Sequence, residues 1–519
     1  MLHPLLMTKL YLPPARSGLV GRPRLTSWLT RALRRPLTLI SAPAGFGKST
    51  LLSQWCGPAE GNAPETPDFS VAWLSLDEGD NDPEWFWAYV LAALRNVPGI
   101  AAGLPDEIDA GAPPQILLAP LINGIDKVTA QTPSRGCTLL VMDDYHTIES
   151  SAIQSAVGYL AEHLPAGLRL AILTRVDPPW PLARFRTNGI LSELRADDLR
   201  FAPDEAVDFL TETMGLNLTG SDVAALEERT EGWIAALQMA AISLDGHPDP
   251  HSFIGAFSGE NRYIADYLME EVLTAQSEPL RRFLLQSSIL DEFCAPLCDA
   301  VAGEGARGSH GGVGGSLGGQ ALLEQAERKG LFLVPLDGER RWYRFHHLFG
   351  DLLRSYLRRV EPDSEPALHA RASAWYAENG RTMDAARHSL AARDYDRVLA
   401  LVEQHAHGWW AMAGPAFLDL MLKLPPEVIT RSPGPCTGLA WMNCVLGKLD
   451  LAAALLDAVD KHAERAPLAP DIASFGALLR TYIAELSGKP IKVTEPVLLA
   501  PTYIPEKETA AKVVEKVAG

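Results

Sequence analysis

An apolar run, LTLI (37–40), leads straight into SAPAGFGKST (41–50), and an apolar helical pattern, STLLSQW (49–55), follows at once. Few folds pass from a buried strand to a helix through such a turn. The pattern [AG]xxxxGK[ST] is met by Ala42, Gly47, Lys48 and Ser49. The glycines let backbone N–H groups turn inward and cradle phosphate, the lysine reaches the outer phosphates, and the serine hydroxyl suits Mg²⁺. The positive end of the following helix adds to the same attraction. Ala44, Gly45, Gly47, Lys48, Ser49 and Thr50 are therefore the candidate phosphate-binding set. The plainer alternative is a glycine-rich turn that only joins strand to helix; the apolar elements on either side argue against it.

Between residues 36 and 200, short apolar runs alternate with longer helical patterns. PLTLIS (36–41), SVAWLSL (70–76), CTLLVM (137–142), LRLAILT (168–174) and ILSELR (190–195) are the candidate strands. Runs apolar on both faces and separated by helices predict a parallel sheet covered on both sides. In DNDPEW, Asp82 is placed to cap a helix and Pro83 suits its first position. After residue 200 the strand signals mostly stop, apart from LFLVPL…RWYRFHHLF, which reads as a small hairpin. The fold expected is an α/β P-loop domain, a parallel sheet with helices on both faces, followed by helical, winged-helix and α-solenoid regions. The boundaries expected are 1–200 for the P-loop domain, 201–250 helical, 251–365 winged-helix-like, 366–487 for the start of TPR-like helical repeats, and 488–519 for an atypical tail. The glycine-rich stretch 303–320 is expected to be a flexible surface loop.

Two acids end the strand in LLVMDDYH, and these give the loop a chemistry. A carboxylate at a strand tip can hold the water shell of Mg²⁺, and its neighbour can polarise an attacking water. Asp143 is assigned to the metal, with Ser49, and Asp144 to the water. In the next strand, AILTRVDPP puts Thr174 and Arg175 at the tip, where a basic group can sense a terminal phosphate. Arg184 and Arg186 in PLARFR could touch phosphate or a neighbouring subunit, but the surface reading is preferred for both. For the acids the plain reading is a pair of strand-end turn residues, and for Arg175 a surface arginine that opens a loop.

Taken in order, TKLYLPPARSGLVGRPRL, SAPAGFGKSTLLSQW, WLSLDEGDNDPEWFWAYVLAAL, LLVMDDYH, LTRVDPPWPLARFR, LRFAPDEA, TEGWIAALQMA, YRFHHLFGDLLR and LKLPPEVI resemble the MalT-like branch of large LuxR-type transcription regulators. These belong to the STAND class of signal-transduction ATPases, and the resemblance covers about residues 8–487. It implies an ATP/ADP switch with Mg²⁺, in which ADP holds a closed monomer. A small-molecule or protein inducer then favours ATP exchange and self-association, and hydrolysis resets the system. It also implies that Val20, Gly21 and Arg22 lie against the base and sugar, and that His346 or His347 contacts the β-phosphate of ADP. Gly232 and Trp233 depart from the class's base-contacting proline motif, and Trp233 reads first as core.

Charge and cysteines narrow the partners. A formal charge of −18 argues against a broad nucleic-acid surface. Residues 489–519 hold five of the twelve lysines, but Glu506, Glu508 and Glu515 interleave with them, so no basic patch results. The tail also lacks the helix-turn-helix pattern that ends the family's full-length members, so no specific DNA binding by this chain is expected. Six cysteines without a CxxC pair read as buried thiols. No signal peptide or membrane-spanning run is evident, and a cytoplasmic location is expected. The functional class expected is a slow ATPase. A P-loop small-molecule kinase and a non-enzymatic repeat scaffold are the alternatives; turnover of roughly 1–100 per second would mark the kinase, and the retained Lys48, Asp143 and Asp144 weigh against the scaffold.

Overall fold

The structure is a computed structural model and describes residues 5–14, 19–57, 69–98, 100–131, 136–303, 318–404, 419–421, 423–445 and 447–486. The glycine-rich stretch falls largely, and the tail from 488 wholly, outside the described residues. The chain divides into two compact units. The first runs up to Arg282 and includes Gln320–Ser355; the second holds Phe283–Gly319 and the residues from Tyr356 onward.

Five parallel strands form the centre of the first unit: β1 (Leu37–Ser41), β2 (Phe69–Ser75), β3 (Cys137–Asp143), β4 (Leu168–Thr174) and β5 (Leu191–Leu194), in the order β2-β3-β4-β1-β5. All five lie within about a residue of the apolar runs in the sequence. Alternate side chains serve opposite faces. Leu37, Leu39, Leu74, Leu140, Met142, Leu170 and Ile172 join one core with the helices α3 (Pro83–Arg95), α4 (Pro114–Gln131) and α5 (Ser151–Glu162). Ile40, Trp73, Leu139, Val141 and Leu173 are buried on the other face. Each such aliphatic side chain gains about 1.5–3 kcal/mol from full burial, which is why β1 tolerates no exposed residue. The helices α1 (Pro23–Ala32) and α2 (Lys48–Cys56) pack together, and Trp55 Nε1 donates to Thr30 Oγ1 at 3.2 Å.

The helix start read from DNDPEW is present. Asp82 accepts from the N–H groups of Glu84 and Trp85 at 2.9 and 3.1 Å, with Pro83 in the first turn. Ahead of it, Lys9 from the N-terminal segment pairs with Asp77 and Asp80 at 2.7 and 2.8 Å. The hairpin is present too: β6 (Leu333–Pro335) pairs antiparallel with β7 (Tyr343–Phe345).

The second unit is helical. Glu365–Glu378, Thr382–Ala391 and Tyr395–Gln404 pack in succession, as do Pro433–Val445, Leu449–Ala463 and Pro470–Leu486. All six cysteines are free and none is exposed. Among the described residues no helix is long and apolar enough to cross a membrane.

Candidate functional site

β1 ends at Ser41, and the loop 42–47 turns into α2 with Gly45 and Gly47 both left-handed, at φ 78 and 73. That conformation costs an L side chain about 1–2 kcal/mol, which explains the two glycines. Lys48 folds back so that Nζ donates to the carbonyls of Ala42 and Pro43 at 2.8 and 3.0 Å. Burial, with the Arg175 charge second, lowers its ammonium to about 8, so a phosphate would find a cation that few other groups solvate. Ala44 is buried beside it, Ser49 is half-buried and Thr50 is exposed.

The order β1-β4-β3 sets Asp143 two strands from the loop, and yet Ser49 Oγ donates to Asp143 Oδ1 at 2.8 Å. The Asp143 carboxyl is buried, which pushes it up to about 6, and the neighbouring Asp144 charge adds to this. Such a carboxylate favours a cation. A hydroxyl and a carboxylate are the oxygen donors Mg²⁺ takes, so the pair fits that ion. Asp144 is left-handed at φ 54 and about half exposed, and its N–H donates to Asp143 Oδ1 at 3.0 Å.

β4 carries the next group. Ser41 is in register with Thr174, and Ala42 N–H donates to the Thr174 carbonyl at 3.2 Å, so Arg175 emerges beside the loop. Its guanidinium is paired with Glu271 at 2.9 Å. Both line a cleft of about 500 Å³ with Ala44, His146, Thr174 and Phe332. His146, which the sequence reading passed over, is held neutral there: burial first, then the Arg175 and Lys48 charges, lower it to about 3. Its position three residues after Asp143 in DDYH was the available signal.

The other candidates stand outside the segment 42–50. Val20 accepts from Gln54 Nε2 of α2 at 3.3 Å, and Gly21 is exposed. Arg22 is buried and bonded to Glu205 at 2.9 Å and to the Arg200 carbonyl at 2.7 Å. Arg184 pairs with Glu162, and Arg186 with Glu193 at 2.6 Å. His346 is buried; Nε2 lies 3.0 Å from the Thr230 carbonyl, and Nδ1 has no hydrogen-bond partner among the described residues. Burial holds it neutral, near 4. His347 is exposed and its N–H donates to Glu231 at 3.1 Å.

Trp233 is more than the core residue its sequence suggested. It is fully buried, and Nε1 donates to the Ala44 carbonyl at 3.1 Å. The helix Ile234–Leu244 starts there, and Ala235 N–H donates to the Gly45 carbonyl at 3.1 Å. A Cβ on Gly45 would meet Ala235 Cβ at 2.6 Å and Trp233 Nε1 at 2.7 Å, so the glycine is required by contact as well as by φ. Around Trp233 stand Phe46 from the loop, Phe332 ahead of β6 and His346 behind β7, with ring centroids 6.5, 4.9 and 5.7 Å away. The phosphate loop and the hairpin thus share one aromatic cluster. No spacing rule connects these residues in sequence.

Glu231 ties the same elements by charge. It ends the helix Gly220–Thr230 in a left-handed conformation, binds Arg344 through both oxygens at 2.8 and 2.9 Å, and also reaches Arg200 at 3.2 Å. Burial pushes its carboxyl up, but Arg344 and its other partners outweigh that and hold it at about 2. The linked stability is full above the ordinary value near 4.5 and is lost as pH falls toward 2. Glu231→Gln is expected to lose at most roughly 3 kcal/mol at pH 7 and almost nothing at pH 2. Urea unfolding at the two pH values checks this; equal losses at both would show that the ion pairs are not the cause.

Comparison with known proteins accords with this geometry. The MalT winged helix domain family matches residues 269–365. The HTH-type transcriptional regulator MalT of Yersinia pestis is 30% identical over 517 residues, covering 98% of this chain and 54% of that protein. The serine/threonine-protein kinase PknK of Mycobacterium tuberculosis is 35% identical over 466 residues, covering 88% of this chain and 40% of that protein. The chain thus spans about half the length of the curated relatives it matches. A STAND protein with a tetratricopeptide repeat sensor from Pyrococcus horikoshii is similar at TM-score 0.34 and 16% identity, over 98% of this chain and 66% of that one, a likeness too weak to carry detail. A match to the MalT winged helix domain family thus follows the parallel sheet in sequence, and the chain is similar to the transcriptional regulator MalT along nearly its whole length.

Proposed function

We propose that this chain is a nucleotide-operated switch, a slow ATPase that seats ADP or ATP with Mg²⁺ on the loop 44–50. The observation that carries the reading is the 2.8 Å bond from Ser49 to Asp143, which joins a phosphate loop to a strand-tip carboxylate across two strands. Backbone N–H groups of the loop and the Lys48 ammonium hold the phosphates. Ser49 and Asp143 hold the metal ion, which when bound neutralises phosphate charge. Asp144, exposed at the strand tip, takes the proton-accepting side of an attacking water. Val20, bonded to α2, and its chain neighbours Gly21 and Arg22 serve the base and sugar, and His346, part of the Trp233 cluster, is the class's candidate for the β-phosphate.

Trp233 makes the switch intelligible. It bonds the loop backbone and packs against the hairpin residues, so a nucleotide that moves the loop also moves the hairpin. In this reading ADP keeps that cluster assembled. An inducer acting on the helical region, which we read as TPR-like repeats, favours ATP and self-association, and hydrolysis restores the first state. A cytoplasmic regulator of transcription is the reading in line with the likeness to MalT.

Two measurements test this together. Mass spectrometry of the purified, denatured chain is expected to find ADP, and titration of an emptied sample should show ADP bound more tightly than AMP. Asp144→Asn is expected to bind ATP as the parent does while losing about 10²–10⁴-fold in hydrolysis, the usual contribution of a positioned base. Normal hydrolysis by Asp144→Asn would reverse the roles given to the two acids. No affinity for any adenine nucleotide would end the reading.

A further inference from the structure

The ion pair between Arg175 and Glu271 has no part in the reading above. Arg175 stands at the tip of β4, next to the strand that feeds the phosphate loop. Its backbone carbonyl lies against Gly330, where a Cβ would meet it at 2.6 Å, and Pro43 of the loop is 3.9 Å from the same point. Its charge is also felt at Lys48. The guanidinium is thus within the field of anything the loop holds. Its partner is nonetheless a carboxylate, with Nη2 2.9 Å from Glu271 Oε2. Glu271 comes from the short segment Met269–Leu273, just after Tyr267, whose hydroxyl would lie 3.1 Å from a Cβ on Gly45. Glu271 therefore faces the loop from a different element, across the cleft that both residues line.

We propose that Glu271 is a specificity-determining residue that tilts the site toward a nucleoside diphosphate and against a triphosphate, by holding Arg175. The inference rests on the reading of the loop as an adenine-nucleotide site. Two phosphates are satisfied by the loop N–H groups and Lys48, and leave the Arg175–Glu271 pair intact. A third phosphate places further negative charge toward the β4 tip. It gains Arg175 only by displacing the Glu271 carboxylate. The penalty therefore falls on the triphosphate. Arg175 and Glu271 are 31% and 44% exposed, and pairs so placed contribute about 0.2–1 kcal/mol, so the bias is roughly 1.4- to 5-fold.

The test is competition of ADP and of a non-hydrolysable β,γ-imido ATP analogue, both with Mg²⁺, against a fluorescent ADP on the full chain. Glu271→Gln keeps shape and removes charge; it is expected to raise the affinity ratio of triphosphate to diphosphate by about 1.4- to 5-fold. Higher salt should shrink the gap between variant and parent. In an Arg175→Ala background the same substitution should leave the ratio nearly unchanged, because the partner is gone. An unchanged ratio in Glu271→Gln, equal gains for both nucleotides, or a full-sized shift without Arg175 would each overturn the proposal while leaving the nucleotide site standing. A parent chain that binds neither nucleotide would remove the site and the proposal with it.

Discussion

Lys48→Ala is expected to bind neither ADP nor ATP at concentrations that saturate the parent chain. The ammonium is buried within the loop, bonded among the described residues to two loop carbonyls, and close to where the outer phosphates would lie. Truncating one partner of a buried charge pair costs about 2–5 kcal/mol or more, which corresponds to a loss of roughly 30- to 5,000-fold in affinity. Isothermal titration of the emptied protein measures it, with circular dichroism to confirm that the sheet is intact. Affinity within threefold of the parent would mean that the loop does not hold phosphate in the manner argued from its sequence. Lys48→Arg is a useful companion: it keeps the charge, but a planar fork does not fit the space of a compact ammonium, so it should fall between the two.

The second large effect concerns Trp233. Trp233→Ala removes a fully buried indole that touches the loop, the start of the helix Ile234–Leu244, and Phe332 and His346 on either side of the hairpin. A buried tryptophan cut to alanine costs roughly 3–5 kcal/mol. The urea midpoint of the unit that contains the sheet is therefore expected to fall markedly. Trp233→Phe retains most of the packing and loses the bond to the Ala44 carbonyl, so it should cost about 1 kcal/mol from that bond, plus a smaller packing loss. The informative comparison is ADP retention: Trp233→Phe should fold and yet release ADP faster, because the loop loses its tie. A Trp233→Ala variant with the parent's midpoint would show that the aromatic cluster does not join loop to hairpin.

Local pattern carried the elements around the site. The five strands are apolar on both faces because a covered parallel sheet demands it, and that demand is visible residue by residue in LTLI or LAILT. Asp82 and Pro83 announce a helix start because capping is a matter of three or four adjacent residues. The phosphate loop is legible for the same reason: its glycines, lysine and serine act within one turn of chain.

The rest depended on contacts that sequence spacing does not encode. Asp143 and Asp144 were legible as strand-tip acids, but only the order β1-β4-β3 brings Asp143 to Ser49. Arg175 was visible as a basic group beside the loop, and its partner was not: Glu271 comes from 96 positions along the chain and matches no pattern. Glu231 reads as an ordinary helix-end acid, yet it collects Arg200 and Arg344 because the hairpin folds back over it. Trp233 was correctly read as buried, since a large apolar ring seeks burial wherever it can. What it buries against, a carbonyl of the phosphate loop on one side and His346 on the other, is decided by how the helical segment and the hairpin pack on the loop. The sequence by itself determined the sheet and the glycine-rich loop, because those follow from short-range periodicity and turn geometry. Tertiary structure alone decided which distant charges and rings close on the loop, because those pairs are selected by packing between segments that lie far apart in the chain.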